Sequence, residues 1–470
     1  IGPFAVQIAG RMVQLFLKIV KNASADEDES AFTALQCLRV LNTLLHVLAP
    51  LKDNAEVFRQ LCMVYQPVIQ RCLKPDAHEF LEDTLDLIGA LVSFCSEMYP
   101  FLWALIPEIT KRYKGATDHA QNVVVCLSKY VAYGGLAKKP DLVKEMLSMV
   151  LWTFNPTFPR GKGPDDPAVI ARDMLVPSQY SAKLVTIILL HIGDKIQHHI
   201  PQISELVIKK LSQTIKLQTT LKKQPKDEVE YELAKAENLI ILLIESMSAA
   251  MYKNPELFLQ ALGKMGCTTA VFKVWMSSRE KMREMASCLQ LSILGLQSLS
   301  ILPPSKLPKE LMGPDRVLLH LLNASVGQLT ELKAQEEKEA NEGDTDDDGD
   351  DDGDSEQEFE KFEDIDGNQD AIGAETMEEF KGLAERIKNA FIYEDGAHKD
   401  EYLDEFFNEP LYQFDKFAFF ARCFDVFPKA NPQAYNAWKS VLNAQQKATI
   451  QKLSTEGKMR ATEEEKGNQQ

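Results

Sequence analysis

Residues 33–48, TALQCLRVLNTLLHVL, carry the pattern that decides the fold. Leu38, Leu41, Leu45 and Leu48 recur at intervals of three or four residues, which places them on one face of an α-helix. The spacing recurs along the first 340 residues, in segments of about 15 to 22 residues, too long for strands. Two further segments show it clearly: Ile8, Met12, Leu15 and Ile19, and then Leu81, Leu85, Ile88 and Val92.

Short turns rich in proline separate these segments. Examples are Lys74-Pro75-Asp76, Tyr99-Pro100, Lys139-Pro140 and Asn254-Pro255. A chain of 470 residues is too long for one core, and about fifteen helices cannot share one. Helix pairs repeating every 40 to 45 residues or so are typical of HEAT repeats. The sequence therefore predicts an all-α protein, a HEAT-type α-solenoid over residues 1–340, in preference to a compact bundle.

A dense acidic segment interrupts this pattern. Between Glu342 and Asp366 there are 15 acidic residues and one base, Lys361, so this stretch carries −14 of the formal net charge of −17. Such a segment cannot bury enough apolar surface to order itself, so residues 341–372 are predicted to form a disordered insertion. Its charge can attract basic proteins without fixed geometry; a solubilising spacer is the alternative. The candidate cargo-binding residues are Asp344, Asp346, Asp347, Asp348, Asp350, Asp351, Asp352, Asp354, Glu356 and Glu358.

Helical periodicity resumes after this acidic arm. Residues 373–455 are predicted to form a C-terminal helical cap, and residues 456–470 a polar, frayed tail. Ten aromatic side chains lie between Tyr402 and Phe427, among them Phe417 and Phe420. So much aromatic surface must be largely buried, either within the cap or against the solenoid.

The sequence contains no convincing catalytic, cofactor or metal site. Asp344, Asp346 and Asp348 match the first half of a calcium loop, but Ser355 stands where its twelfth position requires Glu. His191, Asp194 and His198 could share a helix face, but no fourth ligand is evident. No nucleophile–base or paired-carboxylate arrangement can be assembled, so the chain is predicted not to be an enzyme and to need no cofactor.

The remaining compositional features indicate a soluble protein. The longest strongly apolar run, Leu239–Ile244, is too short to span a bilayer, and no secretory signal is visible. The eight cysteines include no Cys-x-x-Cys motif, which favours reduced thiols packed as small hydrophobic groups. A diffuse set of lysines over residues 209–226 is interpreted as solvent-exposed, with a binding patch as the alternative. The chain starts Ile-Gly-Pro without an initiator Met, which predicts a fragment.

Several short motifs follow one another along the chain, and their specificity rests on their order. The motifs are Glu79-Phe80-Leu81-Glu82 with Leu87; the segment 252–259, YKNPELFL; Phe272 to Trp275, then Lys281-Met282 and Leu294-Gly295-Leu296; Tyr412, Phe414 and Phe417; and Asn431-Pro432 with Tyr435, Leu442, Gln446 and Gln451. In this order they resemble the karyopherin-β family of nuclear transport receptors, specifically its importin 7 and importin 8 branch, although Asp83 replaces the last Glu of the branch's first motif.

This resemblance implies a nuclear import receptor that shuttles between cytoplasm and nucleus. Such receptors bind cargo in the cytoplasm, pass the nuclear pore and release cargo to RanGTP. The family's main contacts with Ran and nucleoporins lie in N-terminal repeats, which are expected to be missing from this chain. Its cargoes are often basic, of the ribosomal-protein or histone type, and importin beta can be a further partner; no membrane or direct nucleic-acid binding is expected. The alternatives are an export-type karyopherin, or a non-transport HEAT scaffold such as a phosphatase regulatory subunit.

Overall fold

The computed structural model describes residues 2–22, 28–51, 54–157, 166–313, 317–342, 407, 411 and 414–467. These residues form α-helices, short 3-10 turns and connecting loops, with no strand among them. The twenty α-helices in the described ranges are α1 Gly2–Asn22, α2 Asp28–Leu48, α3 Ala55–Cys72, α4 Leu81–Phe94, α5 Pro100–Tyr113, α6 Ala120–Ala132, α7 Pro140–Phe154, α8 Pro167–Asp173, α9 Leu175–Ile192, α10 Ile200–Leu221, α11 Lys226–Lys253, α12 Pro255–Met265, α13 Thr268–Ser277, α14 Arg279–Met282, α15 Ala286–Ser298, α16 Lys309–Met312, α17 Val317–Glu342, α18 Lys416–Ala430, α19 Pro432–Val441 and α20 Ala444–Gly467.

The helices stack as two layers in the manner of HEAT repeats. In one layer, called here the second layer, each of α2, α4, α6, α9, α11, α15 and α17 packs against the next. In the first layer α1 packs on α3, α5 on α7, α7 on α10 and α10 on α12. Within a repeat the two layers also contact each other: α1 packs against α2, and α10 packs against α11. The prediction of an all-α HEAT-type solenoid is confirmed.

The two layers differ in how much of each helix is buried. Thirteen of the 18 residues of α9, in the second layer, are buried, whereas only nine of the 22 residues of α10, in the first layer, are buried. A helix apolar on most sides belongs in a core, while an amphipathic helix shields it from water. The second layer is therefore the core of the solenoid.

Polar caps and prolines set the helix boundaries. The Asn54 side chain accepts a hydrogen bond from the Val57 amide at 3.3 Å at the start of α3, and Asn254 does the same for Leu257 at 3.0 Å in α12. Proline is tolerated in the first turn of a helix because the missing amide has no intrahelical partner there. Pro255 occupies that position beside the Asn254 cap. The proline-rich turns of the sequence therefore mark helix starts as well as helix ends.

Three helices are long and apolar enough to cross a membrane by length and composition alone. They are α1, residues Ser30–Leu48 of α2, and a segment from Leu175 to Lys195 that includes α9. In the third, 72% of the apolar window is buried in the stack, against 22% and 33% in the first two. The sequence expectation was wrong on this point, because it considered only uninterrupted apolar runs and not the mean hydropathy of a whole helix.

The cysteines behave largely as predicted. All eight are free thiols, and seven of them are buried, whereas Cys267 is only partly so. Burial raises the pKa of Cys72, Cys126 and Cys423, each to about 12, which keeps these thiols protonated and unreactive at neutral pH. Cys62 and Cys95 lie with their sulfurs 3.7 Å apart, in buried hydrogen-bonding contact between α3 and the end of α4.

The C-terminal helices pack both on one another and on the solenoid. Phe417 is 0% exposed and Phe420 4% exposed, which confirms that these rings are buried. Tyr252 of α11 makes edge contacts with Phe414 and Phe419, with ring centroids 5.3 and 5.2 Å apart. The indole of Trp438 in α19 donates a hydrogen bond of 2.6 Å to the Asn323 side chain in α17. The aromatic cluster therefore joins the cap to the solenoid.

The cap also contains the closest helix crossing of the C-terminal region. Helix α20 lies against α18 at Gly457, where an added Cβ would overlap the carbonyl oxygen of Phe417 and lie 2.9 Å from the Ala421 Cβ. The structure differs here from the predicted frayed tail over 456–470, since α20 continues to Gly467. Pairing of its charged side chains with α17 accounts for the difference.

Candidate functional site

The predicted cargo-binding residues of the acidic arm all lie outside the described residues. They are Asp344, Asp346, Asp347, Asp348, Asp350, Asp351, Asp352, Asp354, Glu356 and Glu358. Their role stays a prediction. What the structure does show is the end of α17, which precedes the arm, and the start of α18; before α18, Phe407 and Leu411 are already buried in the fold.

A network of ion pairs marks this place. Lys333 of α17 pairs with Glu456 of α20, and this hydrogen-bonded pairing raises the pKa of the Lys333 ammonium. Arg460, one turn further along α20, pairs with Glu336 at 3.0 Å and with Glu456 at 2.7 Å. The network lies between half-buried side chains, where connected charges are worth more than isolated surface pairs.

The start of α18 joins the same network. Lys416 pairs with Glu336 at 2.8 Å, and Asp415, which caps α18 through the Ala418 amide at 2.6 Å, lies 3.5 Å from Arg460. The guanidinium of Arg460 also lies 4.0 Å from the centre of the Phe417 ring. The end of α17 and the start of α18 are therefore held at one location, on the C-terminal part of the solenoid.

Two cavities lie along the first layer. The smaller, of about 350 Å³, lies between α10, α11 and α13. Its charged groups lie beside one another: Glu237 pairs with Lys281 and lies 3.9 Å from Lys222. The hydrogen bond from Lys281 is the largest influence that lowers the pKa of the Glu237 carboxyl. A paired carboxylate of this kind stabilises the packing of neighbouring repeats.

The larger cavity, of about 410 Å³, lies between α7, α8, α9 and α10, and the described residues provide no carboxylate partner for the charged group in it. Lys210 lines it and is 7% exposed, with its ammonium 5.7 Å from the centre of the Phe154 ring. Burial lowers the pKa of Lys210 to about 8. The sequence interpretation of the lysines over 209–226 as solvent-exposed is wrong for this residue. The helical spacing of Lys210 indicates that it is buried, since Ile203, Val207, Lys210 and Thr214 share one helix face.

A Lys210→Met variant is expected to be more stable at pH 7, by roughly 3 kcal/mol, because it removes a buried charge without a counterion. The pKa is depressed from 10.5 in the unfolded chain to about 8 in the folded one, so the unfolded state holds more protons between these values. The loss of folding stability caused by the buried, charged Lys210 is therefore complete below pH 8 and disappears as the pH rises towards 10.5. Urea unfolding of both proteins at pH 7 measures the gain.

Lys209→Met is the matched control for that measurement. Lys209 is exposed on the same helix, one residue away, so its replacement should leave the free energy of unfolding nearly unchanged. An unfolding midpoint for Lys210→Met equal to that of Lys209→Met would contradict the assignment of a buried, uncompensated charge.

The other residues singled out in the sequence are engaged in local contacts. Asp194 pairs with Lys253 at 3.0 Å, and the His198 ring lies against that of His199 with centroids 4.1 Å apart. Among the described residues, no three His, Cys, Asp or Glu side chains are grouped so that they could hold a metal ion.

Comparison with known proteins identifies relatives named as importins. The chain is 23% identical over 312 residues to a protein of Dictyostelium discoideum named as a probable importin-7 homolog, which covers 65% of the chain. It is 22% identical over 348 residues, or 70% of the chain, to an Arabidopsis thaliana protein named as an importin beta-like SAD2 homolog.

The chain spans 26% and 30% of the lengths of these two relatives. No family model and no solved structure matches it. The relationship to importins therefore rests on sequence alignment. The aligned residues belong to the chain that folds as the two-layer helical stack.

Proposed function

The chain is a relative of the importins of the karyopherin-β family, and from this relationship we propose that it forms part of a nuclear import receptor. Such a receptor carries proteins through the nuclear pore and shuttles between cytoplasm and nucleus; it is not an enzyme. The observation that carries the proposal is the alignment with two importin-named proteins over 65% and 70% of the chain, in a chain that folds as a HEAT stack.

The proposed cargo class is basic proteins, of the ribosomal-protein or histone type, bound by the acidic arm. Two observations and one physical argument support this. The arm carries −14 of the net charge of −17, so most of the chain's electrostatic field originates there. The arm follows directly from α17, whose C-terminal half is anchored to α18 and α20 by the ion-pair network of Lys333, Arg460 and Lys416. Dense like charge attracts a basic surface without requiring fixed geometry.

RanGTP, nucleoporins and importin beta are the further partners that this proposal implies for the complete receptor. A pull-down with the full-length protein and a basic cargo, with and without RanGTP, tests the direction of transport. RanGTP should weaken cargo binding. Stronger binding with RanGTP would instead identify an export receptor, and an unchanged amount of cargo would point to a HEAT scaffold outside transport.

Neutralising the arm is expected to slow cargo association. The variant replaces Asp346, Asp347, Asp348, Asp350, Asp351, Asp352 and Asp354 with Asn. The association rate constant for a linker histone should fall by on the order of tenfold at low salt, because steering charges act mainly on encounter. At physiological salt, where the screening length is about 8 Å, the difference should narrow. Surface plasmon resonance over a series of salt concentrations measures both.

A shuffled arm of identical composition is the matched control. Because the proposed attraction depends on charge and not on order, the shuffled variant should bind as the natural chain does, and a neutral cargo should be indifferent to all three proteins. Association rates and salt dependence that are the same for the natural and neutralised arms would show that the arm is only a solubilising spacer.

A further inference from the structure

The cavity that contains Lys210 has the build of a small-molecule site. Its volume of about 410 Å³ falls within the usual range for ligand pockets of roughly 300 to 1,000 Å³. Phe154 at the end of α7, Ile170 and Met174 at α8, and Leu217 of α10 form mostly apolar walls. Four helices contribute to it, so its shape is set by the packing of the repeats.

Among the described residues that line the cavity, Lys210 is the one charged group, and none of them is a carboxylate. None of the described residues forms an ion pair with Lys210 or accepts a hydrogen bond from its ammonium. The ammonium instead lies over the face of the Phe154 ring. Thr214, one turn further along the helix in the same cavity wall, donates its proton to the Lys210 backbone carbonyl at 2.9 Å. The Lys222 and Lys281 ammonium groups of the neighbouring cavity, by contrast, both lie beside Glu237.

A buried ammonium is costly when it faces only apolar atoms. Burial lowers its pKa to about 8, which still leaves it mostly protonated at pH 7. An anion in the cavity would recover the lost interaction, and apolar atoms attached to that anion would cover the walls. One cation balances one negative charge, which favours a carboxylate over a doubly charged phosphate.

We propose that this cavity binds a small carboxylic acid with an apolar body, its carboxylate against the Lys210 ammonium and its apolar part against Phe154, Ile170 and Leu217. This site is separate from the acidic arm and does not depend on the transport proposal. The ligand is held by one buried ion pair and by apolar contact, the combination that gives small pockets their orientation and affinity.

Octanoate is the probe, and octanol of the same chain length is the uncharged comparison. Isothermal titration calorimetry at pH 7, below the concentration at which octanoate forms micelles, should show octanoate binding at least about tenfold more tightly than octanol. Lys210→Met should abolish this preference, whereas Lys209→Met should retain it. Octanoate should also protect Lys210, but not Lys209, from reductive methylation as read by peptide mass spectrometry.

Two results would overturn the assignment. One is equal affinity of the natural chain for octanoate and octanol, which would mean that the ammonium does not recognise the carboxylate. The other is evidence that octanoate binds elsewhere. That evidence would be an octanoate affinity that is the same in Lys210→Met and Lys209→Met, or methylation of Lys210 that octanoate leaves unchanged. Circular dichroism of both variants establishes that the helical stack is intact when the titrations are made.

Discussion

A Gly457→Ala substitution is expected to separate α20 from α18 and to destabilise the C-terminal helices by about 3 kcal/mol, at the upper end of what overpacking usually costs. The added methyl would overlap the Phe417 carbonyl oxygen, which is backbone and cannot rotate away, and would lie 2.9 Å from the Ala421 Cβ. Hydrogen exchange of residues 416–467, read by mass spectrometry, should show faster exchange in this region, while α1 to α6 stay protected because a solenoid is stabilised by neighbours.

Gly263→Ala serves as the control. Gly263 lies in α12, and a Cβ built on it meets no atom within 4 Å. Alanine there should stabilise the helix by up to about 1 kcal/mol, through helix propensity alone. Protection of residues 416–467 that is equal in the two variants would show that the crossing at Gly457 is not as close as described.

Replacement of Phe417 by Ala is expected to cost about 3 to 5 kcal/mol, the usual range for removing a fully buried ring. The ring is 0% exposed, and the Arg460 guanidinium lies 4.0 Å from its centre, so the variant loses packing and also the support beneath the ion-pair network. Limited proteolysis should cut residues 416–467 at a denaturant concentration that leaves them intact in the natural chain.

Val426→Ala on the same helix is the comparison for Phe417. Val426 is 43% exposed, so its truncation should change protease resistance very little. If the Phe417→Ala protein resisted proteolysis as well as the Val426→Ala protein did, the ring would contribute far less than its burial indicates.

Helical periodicity was sufficient to predict the fold. The repeated spacing in segments such as Leu38 to Leu48 reports which face of a helix is buried, and that information is local. The pattern within each helix also indicates the core layer, since α9 is apolar on most sides whereas α10 is amphipathic. Which helices contact one another is not local, because it depends on the packing of the whole stack. The end of α20 was missed for a similar reason: Glu456 and Arg460 read as a polar tail until their partners Lys333 and Glu336 are brought beside them by the fold.

The two candidate sites, the acidic arm and the Lys210 cavity, also differ in how far the sequence alone identifies them. Charge density alone identifies the acidic arm, because electrostatic attraction needs no fixed geometry. The Lys210 cavity could not be found like this, since its walls come from four helices. Its helical register, with Ile203, Val207 and Thr214 on the same face, predicts that the side chain is buried, but the absence of a carboxylate partner among the described residues is a property of the packing.

The second-layer stack has a mechanical consequence. It contains six successive interfaces, from α2 against α4 to α15 against α17, and each couples only adjacent helices. A change of about 3° at each interface would sum to nearly 20° between the ends, while every side chain kept its neighbours. The curvature of the stack can therefore change through small changes at many interfaces, without breaking the core of any repeat.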